Sequence, residues 1–229
     1  MNENGVVLLV EDDKRILHTN KRMLESEGFQ VQCAETLAEA RAVMALRTPD
    51  VVVLDIRLPD GSGLDFCAEI RSTVTVPVLF LTALDAQDEM IQGFEAGGND
   101  YIAKPYDMDE LLARIKAQYH LVRMLRSEAS KNRNVVRGVL TLDVMVARAY
   151  LNGMDLLLAP KEFALLLFLL QHEGEGFSNE HLFLHIWQQP INNNNHALKN
   201  AAYRLRKKLE GSGYTVVATR GEGYRFERI

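Results

Sequence analysis

The chain has 229 residues, of which 47% are hydrophobic and 25% are charged, a composition typical of folded globular proteins with one or two domains. No apolar stretch approaches the roughly 20 residues of a membrane-spanning helix, and the polar N-terminus lacks a signal-peptide pattern. We therefore expect a cytoplasmic protein with no membrane partner. Cys33 and Cys67 lack metal-ligand spacing and are predicted to be reduced thiols.

The net charge of −5 is distributed unevenly along the chain. Residues 1–120 contain 11 Lys and Arg against 21 Asp and Glu, a net charge of −10, whereas residues 121–229 contain 15 against 10, a net charge of +5. The two halves are therefore expected to meet different partners. The basic half suits a polyanion such as DNA.

The first half alternates strand and helix patterns. Short, apolar, β-branched runs predict strands at 5–10, 29–33, 50–55, 76–81 and 100–102. Segments with helical spacing lie near 13–27, 36–47, 63–72, 86–97 and 107–125. This five-fold repeat predicts an α/β fold with a doubly wound, five-stranded parallel sheet.

The second half has a different pattern. Residues 126–136 lack an apolar period and are interpreted as a linker between domains at 1–125 and 137–229. Strands are predicted near 138–142, 144–151 and 154–158, helices near 160–173, 178–187 and 195–210, and a terminal hairpin at 214–218 and 223–227. Helices followed by a hairpin predict an α+β winged helix-turn-helix domain.

Acidic, hydroxyl and basic side chains follow the predicted strands of the first half. Glu11 and Asp12 end the first strand, Asp55 ends the third, Thr82 ends the fourth and Lys104 follows the fifth. Because ligands bind beyond the carboxyl ends of parallel strands, these side chains are expected to share one crevice. Clustered carboxylates repel one another, and coordination to a hard cation such as Mg²⁺ removes that cost. The pattern predicts a metal-dependent phosphorylation site.

This ordered set resembles a known family. Residues 1–125 resemble the flavodoxin-like receiver domain of two-component systems, on the motifs Glu11-Asp12, Asp55, Thr82 and Lys104-Pro105, with Tyr101 before the lysine. Residues 126–229 resemble the winged-helix effector of OmpR/PhoB-type response regulators, whose terminal motif matches residues 220–226. The resemblance covers essentially the whole chain.

The resemblance implies roles for the residues of the pocket. A sensor histidine kinase would phosphorylate Asp55, and Lys104 and Thr82 would contact the phosphoryl oxygens. Mg²⁺ would be bound by Glu11 through water and by Asp12, Asp55 and the main-chain carbonyl of Arg57. The chemistry is in-line phosphoryl transfer, in which positioning and charge neutralisation do most of the work.

Two further pairs of residues are assigned by the same resemblance. Thr82 and Tyr101 would form the switch that responds to the phosphoryl group. Arg57 and Leu84 border the route of water to the phosphorylated carboxylate in receivers. We hypothesise that these two side chains set the lifetime of the phosphoryl group.

The resemblance also implies a homodimer through the fourth helix, fifth strand and fifth helix of the receiver. Asp100 and Arg114 keep one of the family's cross-subunit ion pairs. Met90 replaces the basic partner of Glu110, and Asn99 and Leu121 stand where opposite charges are usual. Because exposed ion pairs contribute only about 0 to 1 kcal/mol each, we predict a symmetric dimer face that is more apolar than usual.

The third helix of the second domain is predicted to have one apolar face and one polar face. The apolar face contains Leu198, Ala201, Ala202, Leu205 and Leu209. The opposite face and its flanks carry side chains that suit the major groove of double-stranded DNA: His196, Lys199, Asn200, Tyr203, Arg204 and Lys207. Arg206 and Lys208, nearer the edges of this helix, are predicted to contact phosphate. Arg220, in the wing, is predicted to approach the minor groove or its phosphates.

The second domain departs from the family pattern at one helix start and has a loop that is a further candidate contact surface. Ala159 precedes Pro160 where the family often has a Thr, so the usual N-cap of the first helix is missing. The loop at 188–195 contains four asparagines, and in related activators this loop can contact RNA polymerase. RNA polymerase is therefore a further candidate partner.

The leading interpretation is a DNA-binding transcriptional regulator switched by phosphorylation. One alternative is an atypical regulator that dimerises constitutively, an interpretation favoured by Met90 and Leu121. Another is an aspartyl-phosphate phosphotransferase or phosphatase, but that class usually has a second acid where this chain has Arg57. We expect no enzyme activity beyond assistance in its own phosphorylation and dephosphorylation. RNA binding is disfavoured by the wing and the recognition helix.

Overall fold

The computed structural model describes residues 4–83, 98–131, 133–187, 196–219 and 223–229. The chain divides into two compact units, Met1–Tyr119 and His120–Ile229. The predicted helix near 86–97, the loop at 188–195 and the tip of the wing at 220–222 lie outside the described residues. Within the described ranges, no helix is long and apolar enough to cross a membrane.

The first unit is built on a parallel sheet. Its strands are β1 (Asn4–Val10), β2 (Phe29–Ala34), β3 (Val51–Asp55), β4 (Arg57–Leu58), β5 (Gly61–Ser62), β6 (Val78–Ala83) and β7 (Asp100–Lys104). Five of them form the main sheet in the order β2-β1-β3-β6-β7, and β4 and β5 form a separate small hairpin. The order and the parallel pairing confirm the predicted doubly wound sheet.

Burial on both faces explains why these runs are continuously apolar. Every residue of β3 is buried. Val52 and Leu54 enter the core on one face of the sheet, whereas Val51 and Val53 enter the core on the other. A strand whose two faces are both covered has no need for polar alternation. Asp55 is the polar exception, and it comes at the carboxyl end of the strand.

Helices α1 (Lys14–Ser26), α2 (Leu37–Leu46) and α3 (Gly63–Arg71) begin at polar capping residues. The Asp13 carboxylate accepts the backbone N–H of Arg15 at 2.8 Å, and the Thr36 hydroxyl accepts that of Glu39 at 3.2 Å. The Ser62 hydroxyl accepts a backbone N–H at the start of α3. These acceptors satisfy backbone donors that the first turn of a helix leaves without an intrahelical partner.

Helix α4 (Met108–Lys131) is longer than the sequence predicted. Leu121, Leu125 and Ala129 form a buried stripe on its second half and belong to the core of the second unit. Residues 126–131 are therefore helical, and strand β8 begins at Asn134, so the prediction of a linker at 126–136 is corrected. The physical reason is the spacing of these three residues, which extends one apolar face beyond residue 125.

The second unit begins with an antiparallel sheet of β8 (Asn134–Arg137), β9 (Leu140–Asp143), β10 (Arg148–Leu151) and β11 (Met154–Asp155). Three helices follow: α5 (Pro160–Gln171), α6 (Asn179–Leu182), which continues as a π-helix at Phe183–Trp187, and α7 (His196–Lys208). The hairpin of β12 (Tyr214–Thr219) and β13 (Gly223–Arg228) ends the unit. This order confirms the predicted winged helix.

The start of α5 has a cap that the sequence analysis did not anticipate. The backbone N–H of Ala159 donates to the carboxylate of Glu162 at 3.1 Å, so Glu162 supplies one half of a capping box. Pro160 occupies the first helical position, where its missing N–H costs nothing. The absent threonine is thus compensated from within the helix.

Candidate functional site

The carboxyl ends of β1 and β3 bring three acids together. Carboxylate oxygens of Glu11, Asp12 and Asp55 all lie within 4.8 Å of one another. Glu11 and Asp55 are 2% and 8% exposed, whereas Asp12 faces solvent. The parallel pairing of β1 with β3 places these strand ends side by side, as the sequence predicted.

Lys104 reaches the acids from the far edge of the sheet. Its ammonium lies 2.6 Å from Glu11 Oε2 and 2.5 Å from Asp55 Oδ2. Burial alone would lower the pKa of Lys104, but its hydrogen bonds to Asp55 and Glu11 outweigh burial and raise it. Burial raises the pKa of Glu11, although Lys104 opposes the change. The lysine therefore remains cationic and balances the buried carboxylates.

The turn after β3 holds the second oxygen of Asp55. The backbone N–H of Arg57 donates to Asp55 Oδ1 at 3.0 Å. The backbone N–H of Gly63 donates to the carbonyl of Ile56 at 2.8 Å, which brings the start of α3 against the same turn. The Arg57 side chain is exposed, and its role in the phosphoryl lifetime stays a prediction. Leu84, its proposed counterpart, lies outside the described residues.

Gly63 is a residue that the sequence analysis missed. A Cβ at this position would lie 2.2 Å from the backbone carbonyl oxygen of Asp55. Such a contact is far inside van der Waals range, so only glycine allows α3 to pack this closely. The signal in the sequence was Gly61-Ser62-Gly63 shortly after an acid that ends a buried strand.

Gly63→Ala is expected to slow phosphorylation of Asp55 because the added methyl group must displace the backbone that positions the carboxylate. A misplacement of about 1 Å can reduce a rate about a hundredfold. The rate of phosphorylation by a small phosphodonor such as acetyl phosphate measures the effect. Gly176→Ala is the matched control, since nothing lies within 4 Å of a Cβ there. Equal rates in the two variants would contradict the positioning role.

The predicted switch residues lie on the two neighbouring strands. Thr82 is 4% exposed near the end of β6, and Tyr101 is 7% exposed on β7. The Tyr101 ring stacks on Phe80 with a centroid distance of 5.4 Å. The tyrosine is therefore already turned inward, and Thr82 lies at the same edge of the sheet as Asp55.

The chemistry of the donor set fits Mg²⁺. Three carboxylates provide hard oxygen ligands, and Asp12 is exposed enough to leave room for water in a coordination shell. Coordination of Mg²⁺ by the main-chain carbonyl of Arg57 stays a prediction. The pocket therefore has the ligand type and the charge that this cation requires.

The exposed face of α7 agrees in part with the predicted DNA-binding face. Lys199 and Lys207 are exposed, Tyr203 is 52% exposed, and Asn200 is half-buried. The Lys207 ammonium lies 4.8 Å from the centre of the Tyr203 ring. The helix exists as predicted from His196, but the His196 side chain and Arg220 of the wing lie outside the described part of the structure.

Three other cations of α7 have partners inside the unit. Arg204 and Lys208 both form ion pairs with Glu162, whose side chain is 1% exposed, and the Lys208 pair is 3.0 Å long. The Lys208 ammonium also donates to the carbonyl of Leu157 at 2.9 Å. Both side chains neutralise a buried carboxylate, and contact of Arg204 and Lys208 with DNA stays a prediction. Arg206 donates to the Val216 carbonyl at 2.9 Å while its side chain remains exposed.

The wing hairpin is joined to the segment before α6. Phe177 and Tyr224 exchange backbone hydrogen bonds of 3.0 and 2.9 Å. Gly223 has a φ of +94°, and a Cβ there would lie 1.9 Å from the carbonyl oxygen of Phe177. Only glycine fits this close approach of two backbones. The base of the wing is thus fixed by main-chain contacts.

The predicted dimer face contains an ion-pair network within one chain. Arg114 lies 2.9 Å from Asp100 and 2.7 Å from Glu110. Leu121 is 1% exposed in the core of the second unit, so its prediction as an interface residue is corrected; the helical stripe turns it inward. Met90 lies outside the described residues.

Asn99 has a structural role instead of the usual charge. Its side-chain oxygen accepts the backbone N–H of Val78 at 3.0 Å and a guanidinium N–H of Arg71 at 3.1 Å. Arg71 also donates to the Val76 carbonyl at 2.5 Å, and both Asn99 and Arg71 are buried. Buried polar groups need such partners, and the Asn99 oxygen supplies one to the buried Arg71 and to the backbone of β6.

Comparisons with known proteins agree with this description. Residues 7–116 match the model of the response regulator receiver domain, and residues 153–226 match that of the C-terminal domain of transcriptional regulatory proteins. DrrB of Thermotoga maritima, an OmpR/PhoB homologue, is 30% identical over 97% of this chain and 98% of its own, with a TM-score of 0.49.

Two other solved structures are similar in different ways. A cysteine-to-serine variant of RitR shares the fold over 98% of this chain and 100% of its own, with a TM-score of 0.84 and 22% identity. The non-phosphorylated HemR receiver domain of Leptospira biflexa is 38% identical over 50% of this chain and 93% of its own, with a TM-score of 0.47.

The two domains and their order define a two-component response regulator with a DNA-binding output domain. The chain belongs to the OmpR/PhoB-type response regulators.

Proposed function

We propose that this protein is a cytoplasmic transcriptional regulator switched by phosphorylation of Asp55 from a sensor histidine kinase. One observation carries the proposal: Lys104 bridges Asp55 and Glu11 within a pocket of three carboxylates, in a chain that also has a donor-rich exposed helix. A balanced set of acids and one ammonium around a single strand end is what reversible phosphorylation of a carboxylate needs.

In the proposed transfer, a carboxylate oxygen of Asp55 attacks the phosphorus atom of a phosphohistidine. The new O–P bond forms as the N–P bond breaks, and the leaving imidazole nitrogen takes up a proton. Lys104 is positioned to move from the free carboxylate to the phosphoryl oxygens, and the Thr82 hydroxyl lies at the same edge to donate to them. The Arg57 N–H holds the carboxylate in place.

Glu11, Asp12 and Asp55 would hold Mg²⁺ in this pocket. When bound, the cation supplies positive charge that offsets the charge of the phosphoryl group. The chain is not an enzyme with a separate substrate, because its own carboxylate is the group that is modified. Hydrolysis of the resulting acyl phosphate resets the protein, and Arg57 and Leu84 are proposed to limit access of water.

Phosphorylation is proposed to act through a symmetric dimer. The phosphoryl group adds about two negative charges beside Thr82, which can shift the packing of β6 and β7. Asp100, Glu110 and Arg114 already form a network on the predicted face, and exchange of these partners with a second copy would link dimerisation to that packing. The burial of Leu121 removes one of the two features that favoured constitutive dimerisation.

Selection of DNA fragments by the protein with and without beryllofluoride, a mimic of the phosphoryl group, tests the proposal. We expect one enriched operator sequence, bound more tightly with beryllofluoride. Equal enrichment under both conditions would support the phosphorylation-independent alternative. Enrichment of no duplex sequence would contradict a DNA-binding output.

Asn200→Ala is expected to weaken binding to the selected operator by about 1 to 3 kcal/mol, because a side chain that reads a base edge contributes about that discrimination. Binding to a random duplex should change little. Titrations with both duplexes at one salt concentration measure the difference. Arg206→Ala, which removes an exposed cation predicted to contact phosphate, is the control and should weaken both duplexes equally. Equal losses for Asn200→Ala would remove its base-reading role.

A further inference from the structure

Three histidines of the second unit surround the ring of Phe168. The Phe168 centroid lies 4.6 Å from the ring centre of His172, 4.5 Å from that of His185 and 5.9 Å from that of His181. His172 is the C-cap of α5, His181 lies on α6, and His185 lies in the π-helix. None of the three belongs to the phosphorylation pocket or to the DNA-binding face.

His181 and His185 are placed as a chelating pair. They are four residues apart on successive turns, so their side chains leave the same face. Their ring centres lie 6.3 Å apart, with ring planes within 16° of each other, and both residues are exposed. Two histidines at this spacing on a helix are the arrangement by which one metal ion receives two imidazole ligands.

Aromatic side chains surround the pair and restrict the two imidazole rings. Aromatic rings lie beneath them, with Phe168 against His185 and Phe177 at 5.2 Å from His181. The pair also spans the change from α-helix to π-helix, a feature frequent at functional sites.

His172 is not included as a third ligand. Its Nδ1 lies 2.8 Å from the carbonyl oxygen of Phe168, and the Phe168 ring packs against both His172 and His185. Among the described residues, the acidic pocket is the one place where three such groups bring ligand atoms within 4.8 Å of one another. The geometry therefore supports two protein ligands.

We propose that His181 and His185 bind one divalent transition-metal ion of the class that prefers imidazole, such as Zn²⁺, Ni²⁺ or Cu²⁺, with water in the remaining positions. The site is distinct from the carboxylate pocket, whose hard oxygen ligands suit Mg²⁺. A bound ion would join two successive turns and stabilise the α6 and π-helical segment.

Titration of the full-length protein with Zn²⁺ by calorimetry, in excess Mg²⁺, tests the proposal. We expect His181→Gln and His185→Gln each to weaken one Zn²⁺ binding event by at least about tenfold. Loss of an outer-shell partner of a metal alone costs about tenfold or more, and these two residues are proposed as direct ligands. His172→Gln and the exposed His18→Gln and His120→Gln are controls that should retain it. Zn²⁺ should also raise the unfolding midpoint of the wild type, because it binds the folded state.

Unchanged Zn²⁺ affinity in both His181→Gln and His185→Gln would overturn the proposal. If either variant fails to fold, NMR of the wild type decides instead. Substoichiometric Cu²⁺ should broaden the ring proton signals of His181 and His185 before those of His18, His120 and His172. Broadening that begins elsewhere, or that affects all histidines alike, would also overturn the site.

Discussion

Asp55→Asn is expected to abolish phosphorylation by a small phosphodonor or by a cognate histidine kinase. The amide removes the anionic oxygen that attacks phosphorus, while its size leaves the packing of β3 unchanged. The Lys104 ammonium would keep its contact with Glu11. Intact-protein mass spectrometry of treated wild type should show one added phosphoryl group, and the variant should show none.

The matched control is Asp65→Asn, which changes an exposed acid on the nearby helix α3. This variant should accept one phosphoryl group at the wild-type rate. A phosphoryl adduct retained by Asp55→Asn would place the acceptor elsewhere and remove the basis of the switch. Loss of the adduct together with unchanged operator affinity would instead separate phosphorylation from DNA binding.

Glu162→Gln is expected to destabilise the second unit by about 3 kcal/mol, the lower end of the cost of removing one partner of a buried ion pair. Glu162 is 1% exposed and is the shared partner of Arg204 and Lys208. Both cations retain some access to water, which is why the lower end applies. Urea unfolding followed by the fluorescence of Trp187 measures the loss, since this is the chain's single tryptophan and it lies in the second unit.

The stability difference should depend on pH in a defined direction. Burial alone would raise the pKa of Glu162, but Lys208 and Arg204 outweigh it, and the pKa is lowered below its usual value of 4.5. A carboxyl with a depressed folded pKa stabilises the fold fully above its unfolded pKa. That stabilisation is lost as the pH falls through the folded pKa. The difference in free energy of unfolding between wild type and Glu162→Gln should therefore become smaller below about pH 4.5.

Glu173→Gln is the control for this experiment. Glu173 pairs with Arg137 at 3.1 Å on the surface of the same unit, and an exposed pair contributes about 0 to 1 kcal/mol. Equal destabilisation by the two substitutions would mean that the buried network does not hold α7 against α5. If the network also orients the recognition helix, Glu162→Gln should bind the operator more weakly than its smaller folded fraction alone would explain.

Much of the acidic pocket that we propose as the phosphorylation site could be predicted from local features of the chain. Asp55 ends a run of apolar, β-branched residues, and such a run forms a buried parallel strand with its last residue at the functional edge of the sheet. Glu11, Thr82 and Lys104 follow or end strands of the same kind, and they lie at that edge as predicted. The role of Gly63 was not predicted, because it arises from the close approach of its backbone to the backbone of Asp55.

The second unit shows what sequence pattern leaves undecided. Arg204 and Lys208 resemble their exposed neighbours on α7 in charge and spacing, yet both turn toward Glu162, a residue 42 and 46 positions away along the chain. Leu121 looked like an apolar replacement on a dimer face, and the structure buries it with Leu125 and Ala129. These outcomes depend on which distant residues a side chain meets.

The amino-acid sequence by itself determined the order of strands and helices, the division into an acidic and a basic half, and the set of acids and lysine at the strand ends. Hydrophobic periodicity, which acts over neighbouring residues, decides the order of strands and helices and therefore where the strands end. The charge division follows from composition alone. The tertiary structure alone decided that Arg204 and Lys208 of α7 pair with the buried Glu162, that α4 extends to residues packed in the second unit's core, and that two histidines stand side by side. Burial and contacts between residues distant in the sequence decide these three features, because the energy of a charge or an imidazole depends on the groups that surround it in space.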